Sequence, residues 1–172
     1  MYVAAALSPR HRIDSFDCGK EELNTWLSKH ALHAQSSSTA RTFVWTEADQ
    51  TDVLAYYSLA GHVVEREVLP KKIGRGSPDQ IPAVILARLA LDERLHGRGL
   101  GGVLLVDALA RAVEASMNVA ARLMVVDAID ESAATFYEKY GFTRIPGTMR
   151  LIQKMSSIKA SIEDSPSSSE TS

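Results

Sequence analysis

The sequence predicts a mixed α/β fold in which one mainly antiparallel central sheet is flanked by helices on both faces. Segments with strand and helix periodicity follow one another in the order βα–ββ–βα–βα–β. Residues 41–47 and 54–64 alternate as strands around a short polar turn, which is typical of an antiparallel hairpin. An apolar run, 83–91, then leads through a glycine-rich loop into a helical run, 103–115.

The N-terminal region predicts a strand over 2–7 and a helix that starts at Asp17 and ends within 35–39. The apolar face of that helix has three-four spacing and comprises Leu23, Trp26, Leu27, His30, Ala31 and Ala34. We therefore expect His30 to be packed in the core.

The second hairpin strand carries two adjacent tyrosines. Because neighbouring side chains on a strand point to opposite faces, Tyr56 and Tyr57 cannot share one environment. We expect one of them in the core and the other at a cleft.

A basic loop, 68–80, precedes the apolar run and carries Lys71, Lys72 and Arg75 against Asp79. Such a loop is either solvated surface or, where it borders an active cleft, a contact for a polyanion. The sequence leaves both interpretations open.

The run 83–91 is apolar on both faces, as a central strand should be, but Arg88 interrupts it. A charged group in a buried strand is costly unless it is paired or reaches solvent. Arg88 is therefore either a residue of the cleft or part of a structural ion pair.

The loop 96–102, HGRGLGG, is the feature around which the chain is arranged. Glycines take backbone angles closed to other residues. A helix that starts directly after them aims free N–H groups, and the positive end of its dipole, at one point. Strand, glycine turn and helix together predict a cradle for phosphate, the alternative being a tight turn without a ligand.

Gly97, Gly99 and Gly102 also fit the G-x-G-x-x-G pattern of dinucleotide folds, for which Asp127 would be the ribose ligand. That pattern requires the first glycine directly after the strand, whereas the polar segment 92–96 intervenes here. The longer lead-in suits coenzyme A, whose pantetheine amides can pair with an open strand edge.

The C-terminal third predicts a strand over 121–128, a helix over 130–140 and a final strand over 148–155. The acidic start of the helix suits its dipole. Gly141 is expected as a left-handed C-cap, with Phe142 folded back onto the last turn.

The composition is that of an ordinary globular protein of 172 residues with a net charge of −2. The single cysteine, Cys18, excludes a disulfide framework and a cysteine-rich zinc site, and we expect no metal. We find no run of membrane-spanning length and no signal peptide, so we expect a cytoplasmic protein. The serine-rich tail, 156–172, is expected to be disordered, which leaves 1–155 as one folded domain.

Three blocks resemble the GCN5-related N-acetyltransferase (GNAT) superfamily: 86–105 (LARLALDERLHGRGLGGVLL), 121–128 (ARLMVVDA) and 132–142 (SAATFYEKYGF). The acetyl-CoA signature of that family, Gln/Arg-x-x-Gly-x-Gly/Ala, corresponds to 96–101, with His96 at the first position. The resemblance implies a GNAT-like fold and acetyl-CoA as cofactor. It implies that the pantetheine arm is held by Leu89, Ala90 and Leu91. It also implies that the diphosphate is held by His96, Gly97, Arg98, Gly99, Leu100, Gly101 and Gly102.

Within the superfamily, 16–31 (FDCGKEELNTWLSKHA), YYSLAGHVV, PAVILARLALD and FYEKYGF look like the toxins of type II toxin–antitoxin systems. This resemblance covers 1–155. It implies acetylation of the α-amino group of aminoacyl-tRNA, a block of translation, a small DNA-binding ribbon-helix-helix antitoxin and a homodimer.

The residues are consistent with that chemistry. An α-amino group has a reference pKa of about 7.7–8.0, against about 10.4 for lysine, so it needs no strong base near neutral pH. We see no obvious buried carboxylate base. Tyr137 matches the general-acid tyrosine of the family, the alternative being a packing role like that of Phe136 and Tyr140.

A set of basic side chains is expected to contact the phosphates of the tRNA acceptor end. The set comprises Arg41, Lys71, Lys72, Arg75 and Arg88. Two other functions stay open: a GNAT enzyme that modifies a small amine or a protein N-terminus, and a non-catalytic acyl-CoA-binding module.

Overall fold

A computed structural model of the chain describes residues 1–164. Its seven strands form one sheet with the order β1-β2-β3-β4-β5-β7-β6. The strands are β1 (Tyr2–Ala6), β2 (Arg41–Glu47), β3 (Ala55–Glu65), β4 (Gln80–Leu91), β5 (Leu123–Asp127), β6 (Thr143–Arg144) and β7 (Arg150–Lys154). The pairs β1–β2, β2–β3, β5–β7 and β6–β7 are antiparallel, which confirms the prediction of a mainly antiparallel sheet.

Within residues 1–164, six helices flank the strands. They are α1 (Glu21–Lys29), α2 (Ala31–Ser37), α3 (Lys71–Gly74), α4 (Leu100–Ser116), α5 (Glu131–Lys139) and α6 (Met155–Glu163). Short 3₁₀ turns lie at Arg66–Val68 and Glu93–Leu95. Among the residues described, we find no helix with the length and apolar character needed to span a bilayer.

The contacts of the chain group into two compact units. Unit 1 comprises Met1–Gly61 and Ile85–Ala108, and unit 2 comprises His62–Val84 and the described residues from 109 to 164. Strands β3 and β4 therefore contribute residues to both units.

Within unit 1, helices cover both faces of the strands. Tyr56 donates a hydrogen bond to the carbonyl of Leu23 in α1 (2.7 Å), whereas its neighbour Tyr57 donates to the carboxylate of Asp107 in α4 (2.8 Å). Both tyrosines are fully buried, so the expectation that one lines a cleft is wrong. A phenol can be buried at little cost when its hydroxyl finds a partner, and both hydroxyls do.

The first predicted helix is divided at His30, whose backbone (φ −124°, ψ −26°) leaves the helical region between α1 and α2. Leu27 and Ala31 are buried in the core, but His30 is exposed. The expectation of a core histidine is therefore wrong, because the non-helical backbone at His30 turns its side chain away from the face that Leu27 and Ala31 share.

Strand β5, in unit 2, is buried as expected for a central strand. The side chains of Leu123, Met124, Val125 and Val126 are almost completely buried. The chain also continues into α6, where Met155 and Ile158 are buried. The expected disorder of 156–172 is thus wrong over 156–163, since apolar residues at i and i+3 give the serine-rich segment one face to bury. Residues 165–172 of that tail lie outside the described residues.

Candidate active site

The turn between β4 and α4 brings the predicted cofactor-binding glycines together within unit 1. Gly97 and Gly99 have φ values of +76° and +71°, a region that favours glycine. A Cβ atom at either position would meet nothing within 4 Å, so the backbone conformation and not a lack of space requires glycine. The turn lies where the sequence predicts it, and its residues 96–99 are exposed.

Helix α4 begins at Leu100, three residues earlier than the sequence predicts. Gly101 and Gly102 therefore lie in its first turn, where the backbone N–H groups have no partner four residues back in the helix. The helix dipole adds positive potential at this end, and Arg98 is exposed beside it. The start of α4 can thus offer several hydrogen-bond donors to an anionic group.

His96, which stands where the GNAT signature has glutamine or arginine, contacts the end of β4. Its Nε2 lies 2.7 Å from the carbonyl oxygen of Leu91. Because a carbonyl only accepts hydrogen bonds, we assign the proton to Nε2. The imidazole therefore ties the start of the glycine turn to the last residue of the preceding strand.

The strand residues proposed for the pantetheine arm lie on a well-anchored segment. Ala90 is buried in the same core cluster as Val44 and Tyr56, while Leu89 and Leu91 are half-buried. The backbone N–H of Asp92 donates to the carbonyl of Leu54 (2.8 Å). This end of β4 is thus held both by apolar packing and by hydrogen bonds.

The side chain of Asp92 is a feature that sequence reasoning missed. The sequence pattern predicts the polar segment 92–96 only as a lead-in to the glycines, yet the Asp92 carboxylate is 3% exposed and paired with Arg94. A charged residue at the end of an apolar run, with an arginine two positions later, was the available signal.

Tyr137 lies on α5 and is buried between two aromatic rings, those of Phe136 (centroids 5.3 Å apart) and Phe142 (5.8 Å). Burial raises the pKa of its phenol above the ordinary value. Within residues 1–164 its hydroxyl makes no hydrogen bond. The phenol is therefore protonated at neutral pH and has a proton to donate.

Both ends of α5 are formed as the sequence predicts. The carboxylate of Asp130 accepts the backbone N–H of Ala133 (2.8 Å) and caps the N-terminus. Gly141 follows the helix with φ +94°, and the N–H of Phe142 donates to the carbonyl of Tyr137 (3.2 Å). These caps define where the helix ends and so set the position of Tyr137 on it.

A second polar cluster in unit 2 was not predicted. Arg150 makes a bidentate contact with Asp127 (2.8 Å for each bond), and its Nη1 lies 3.0 Å from Nε2 of His62. Burial, followed by the charge of Arg150, lowers the pKa of His62, and Arg150 lowers that of Asp127. Because Arg150 occupies the Asp127 carboxylate, the structure argues against the ribose contact of a dinucleotide site.

Three of the residues predicted to bind tRNA phosphates, Lys71, Lys72 and Arg75, lie in unit 2. Lys71 and Arg75 line a cavity of about 430 Å³, together with Arg66 and Leu69. Arg66 is paired with Asp79 (2.6 Å), but Lys71, Lys72 and Arg75 are exposed and make no ion pair among the residues that the structure describes.

The other two, Arg41 and Arg88, lie in unit 1 and have partners. The guanidinium of Arg41 donates to the carbonyl of Gln35 (2.9 Å) at the end of α2. That of Arg88 lies 4.0 Å from the ring centroid of Trp26, and burial lowers its pKa. Arg88 is therefore stabilised by an aromatic face and not by the ion pair that the sequence allowed.

In the described part of the chain, no group of three His, Cys, Asp or Glu side chains is placed to hold a metal ion.

Known proteins resemble this chain over nearly all of its length. The profile of the acetyltransferase (GNAT) domain family matches residues 40–144. A tRNA-acetylating toxin of Mycobacterium tuberculosis is 33% identical over 159 residues, which cover 92% of this chain and 95% of the relative.

Two solved structures extend the comparison to the fold. AtaT complexed with acetyl-methionyl-tRNAfMet has a TM-score of 0.86 at 30% identity, covering 94% of this chain and 99% of that one. A tyrosine-to-phenylalanine mutant of AtaT, bound to acetyl-CoA and to the C-terminus of the antitoxin AtaR, has a TM-score of 0.82 at 29% identity. It covers 95% of this chain and 99% of that one.

Proposed function

The chain belongs to the GNAT family of acetyltransferases, and we propose that it transfers the acetyl group of acetyl-CoA to the α-amino group of aminoacyl-tRNA and so stops translation. The observation that carries the proposal is the β4–α4 turn, in which two glycines with positive φ lead into a 17-residue helix. The names of the relatives support the acyl donor and the acceptor.

In this proposal the cofactor binds mainly to backbone groups. Backbone groups on one edge of the segment Leu89, Ala90 and Leu91 pair with the pantetheine amides, and residues 96–102 hold the diphosphate. The two positive φ values and the open space around Gly97 and Gly99 support this assignment. Because the donors are backbone N–H groups, histidine at position 96 is compatible with binding.

The acetyl thioester supplies the electrophilic carbon. The attacking α-amino group is partly neutral near pH 7, since its reference pKa is about 7.7–8.0. As the C–N bond forms and the C–S bond breaks, the amine proton passes to solvent, and Tyr137 gives its phenolic proton to the departing sulfur. Tyr137 then regains a proton from solvent before the next turnover. The phenol is protonated near pH 7, so it is available as the proton donor when negative charge develops on the sulfur.

We assign the tRNA phosphates to Arg41, Lys71, Lys72, Arg75 and Arg88. Lys71, Lys72 and Arg75 support this assignment best, because they are exposed and have no ion pair in the described residues. Arg41 and Arg88 are held by Gln35 and Trp26, so they would contact phosphate only with the guanidinium N–H groups that remain.

We further propose a homodimer that is neutralised by a ribbon-helix-helix antitoxin, through which the complex binds DNA. The AtaT–AtaR complexes among the similar structures support the antitoxin. Because acetyl-CoA and charged tRNA are the substrates, the place of action is the cytoplasm.

The test is transfer of radiolabel from acetyl-CoA to total charged tRNA by the purified protein. We expect label in the tRNA fraction, lost when the aminoacyl ester is hydrolysed, and loss of transfer in Tyr137→Phe. Label appearing only in small amines or protein N-termini would replace this proposal with an ordinary acetyltransferase. Binding of acetyl-CoA without any turnover would leave a non-catalytic module.

A further inference from the structure

The carboxylate of Asp92 is a buried charge at the end of β4, directly before the glycine turn. It accepts four N–H groups: the backbone N–H of Asp17 (3.0 Å) and of Arg94 (2.9 Å), and two from the Arg94 guanidinium (2.8 and 3.1 Å). Burial by itself would raise the pKa of Asp92, but these hydrogen bonds lower it overall. The carboxylate is therefore ionised at neutral pH, and its donors hold it in one place.

Asp92 also determines how the chain leaves β4. Its Oδ1 accepts the N–H of Arg94 and so caps the 3₁₀ turn Glu93–Leu95, which is followed directly by His96. The N–H of Leu95 donates to the carbonyl of Asp92 (2.9 Å). The direction in which the glycine turn starts is thus set by this carboxylate and its immediate neighbours.

The turn before α1 packs against the same segment. The N–H of Glu93 donates to the carbonyl of Asp17 (2.8 Å), returning the contact that Asp17 makes to Asp92. Gly19, with φ +84°, lies so close that a Cβ there would be 2.9 Å from Oε1 of Glu93. The two turns are therefore joined by backbone hydrogen bonds, and the Glu93 side chain lies against Gly19.

This contact continues into α1 through Asn24. Its Nδ2 donates to Oδ1 of Asp17 (2.9 Å), which also accepts the N–H of Gly19 (2.9 Å). The side-chain oxygen of Asn24, Oδ1, accepts the N–H of Cys18 (2.9 Å). An unbroken series of hydrogen bonds thus runs from Asn24 on α1, through the turn, to Asp92.

We propose that Asp92 is a positioning residue for acetyl-CoA, and that the turn formed by Asp17, Cys18 and Gly19 couples the glycine loop to helix α1. The inference rests on the proposed role of residues 96–102 in holding the diphosphate. Asp92 touches no reacting atom. It presents the loop in its binding conformation, so its loss raises the cost of ordering the loop when the cofactor binds.

Two variants test the proposal by calorimetric measurement of the dissociation constant of acetyl-CoA. In Asp92→Asn, the N–H groups of the new side-chain amide face the N–H groups that the carboxylate accepts. We expect acetyl-CoA to bind about tenfold more weakly, with little change in kcat. In Asn24→Ala, which lies on α1 away from the loop, we expect binding about threefold weaker. Ser28→Ala is the matched control, because this exposed side chain of the same helix contacts only the carbonyl of Thr25.

Thermal unfolding of each variant separates a loss of fold from a loss of affinity, and Asn24→Ala remains informative if Asp92→Asn does not fold. A folded Asn24→Ala protein that binds acetyl-CoA as Ser28→Ala does would overturn the coupling. A folded Asp92→Asn protein with unchanged affinity would overturn the positioning role. A Gly99→Val protein measured alongside distinguishes the two proposals, since unchanged binding there would instead remove the cofactor role of the loop.

Discussion

The two connections at the ends of β4 are built in opposite ways. The turn after the strand is held by a buried carboxylate, by the His96–Leu91 contact and by glycines with positive φ. The segment before the strand is held by Arg66, which pairs with Asp79 and donates to the carbonyl of Ser77, but its cations Lys71, Lys72 and Arg75 are exposed and make no ion pair in the described residues. The first arrangement suits a small ligand that must be held in one pose, and the second suits a long polyanion attracted by charge.

Tyr137 should behave like the residues of the turn after β4, which are held in one conformation. Tyr137→Phe removes only a hydroxyl and keeps the ring between Phe136 and Phe142, so we expect kcat to fall about 10²-fold or more. The dissociation constant of acetyl-CoA and the melting temperature should change little. A kcat within a few fold of the parent protein would show that Tyr137 only packs.

The glycine turn should not tolerate side chains, even though there is space for them. We expect Gly99→Val to weaken acetyl-CoA binding at least about tenfold, because a residue other than glycine costs about 1–2 kcal/mol in the left-handed region and the loop would relax away from it. Gly61→Ala is the control, since this glycine also has open space around it but no positive φ. Calorimetry on both variants makes the comparison, and equal affinities would contradict it.

The basic loop should instead respond to salt. Replacing Lys71, Lys72 and Arg75 together by alanine should raise KM for charged tRNA about tenfold at low salt and flatten its dependence on salt concentration. The KM for acetyl-CoA should stay the same. A control variant in which Lys29, Lys139 and Lys159, exposed on α1, α5 and α6, are replaced together by alanine removes the same number of positive charges. An unchanged salt slope in the triple variant would assign these residues to solvated surface.

The smallest expected effect concerns the His62–Arg150–Asp127 cluster. The folded-state pKa of His62 lies below its ordinary value of 6.5, so the unfolded chain binds a proton more readily. Its contribution to stability is complete above about pH 6.5 and is lost as the pH falls through the folded pKa. Between pH 7 and 5 the melting temperature of His62→Gln should therefore fall less than that of the parent protein, and parallel curves would contradict this.

The elements that the sequence predicted well depend on local chemistry. The Asp130 cap, the Gly141 turn and the glycines at 97 and 99 each reflect the backbone preference of one residue and its immediate neighbours. The hairpin of β2 and β3 follows from two-residue alternation around a polar turn. Where a pattern depended on longer continuity, as in the helix that breaks at His30, the prediction was wrong.

What the sequence by itself determined is the order of six strands and three helices, without β6, α3 and α6, together with the glycine turn and the capped helix that carries Tyr137. Tertiary structure decided the polar contacts between distant parts of the chain: Asp17 meets Asp92 across 75 positions, and His62 meets Arg150 across 88. The physical reason is that backbone preferences act within a few residues. The partner of a buried charge, by contrast, depends on which strands and turns the fold places side by side.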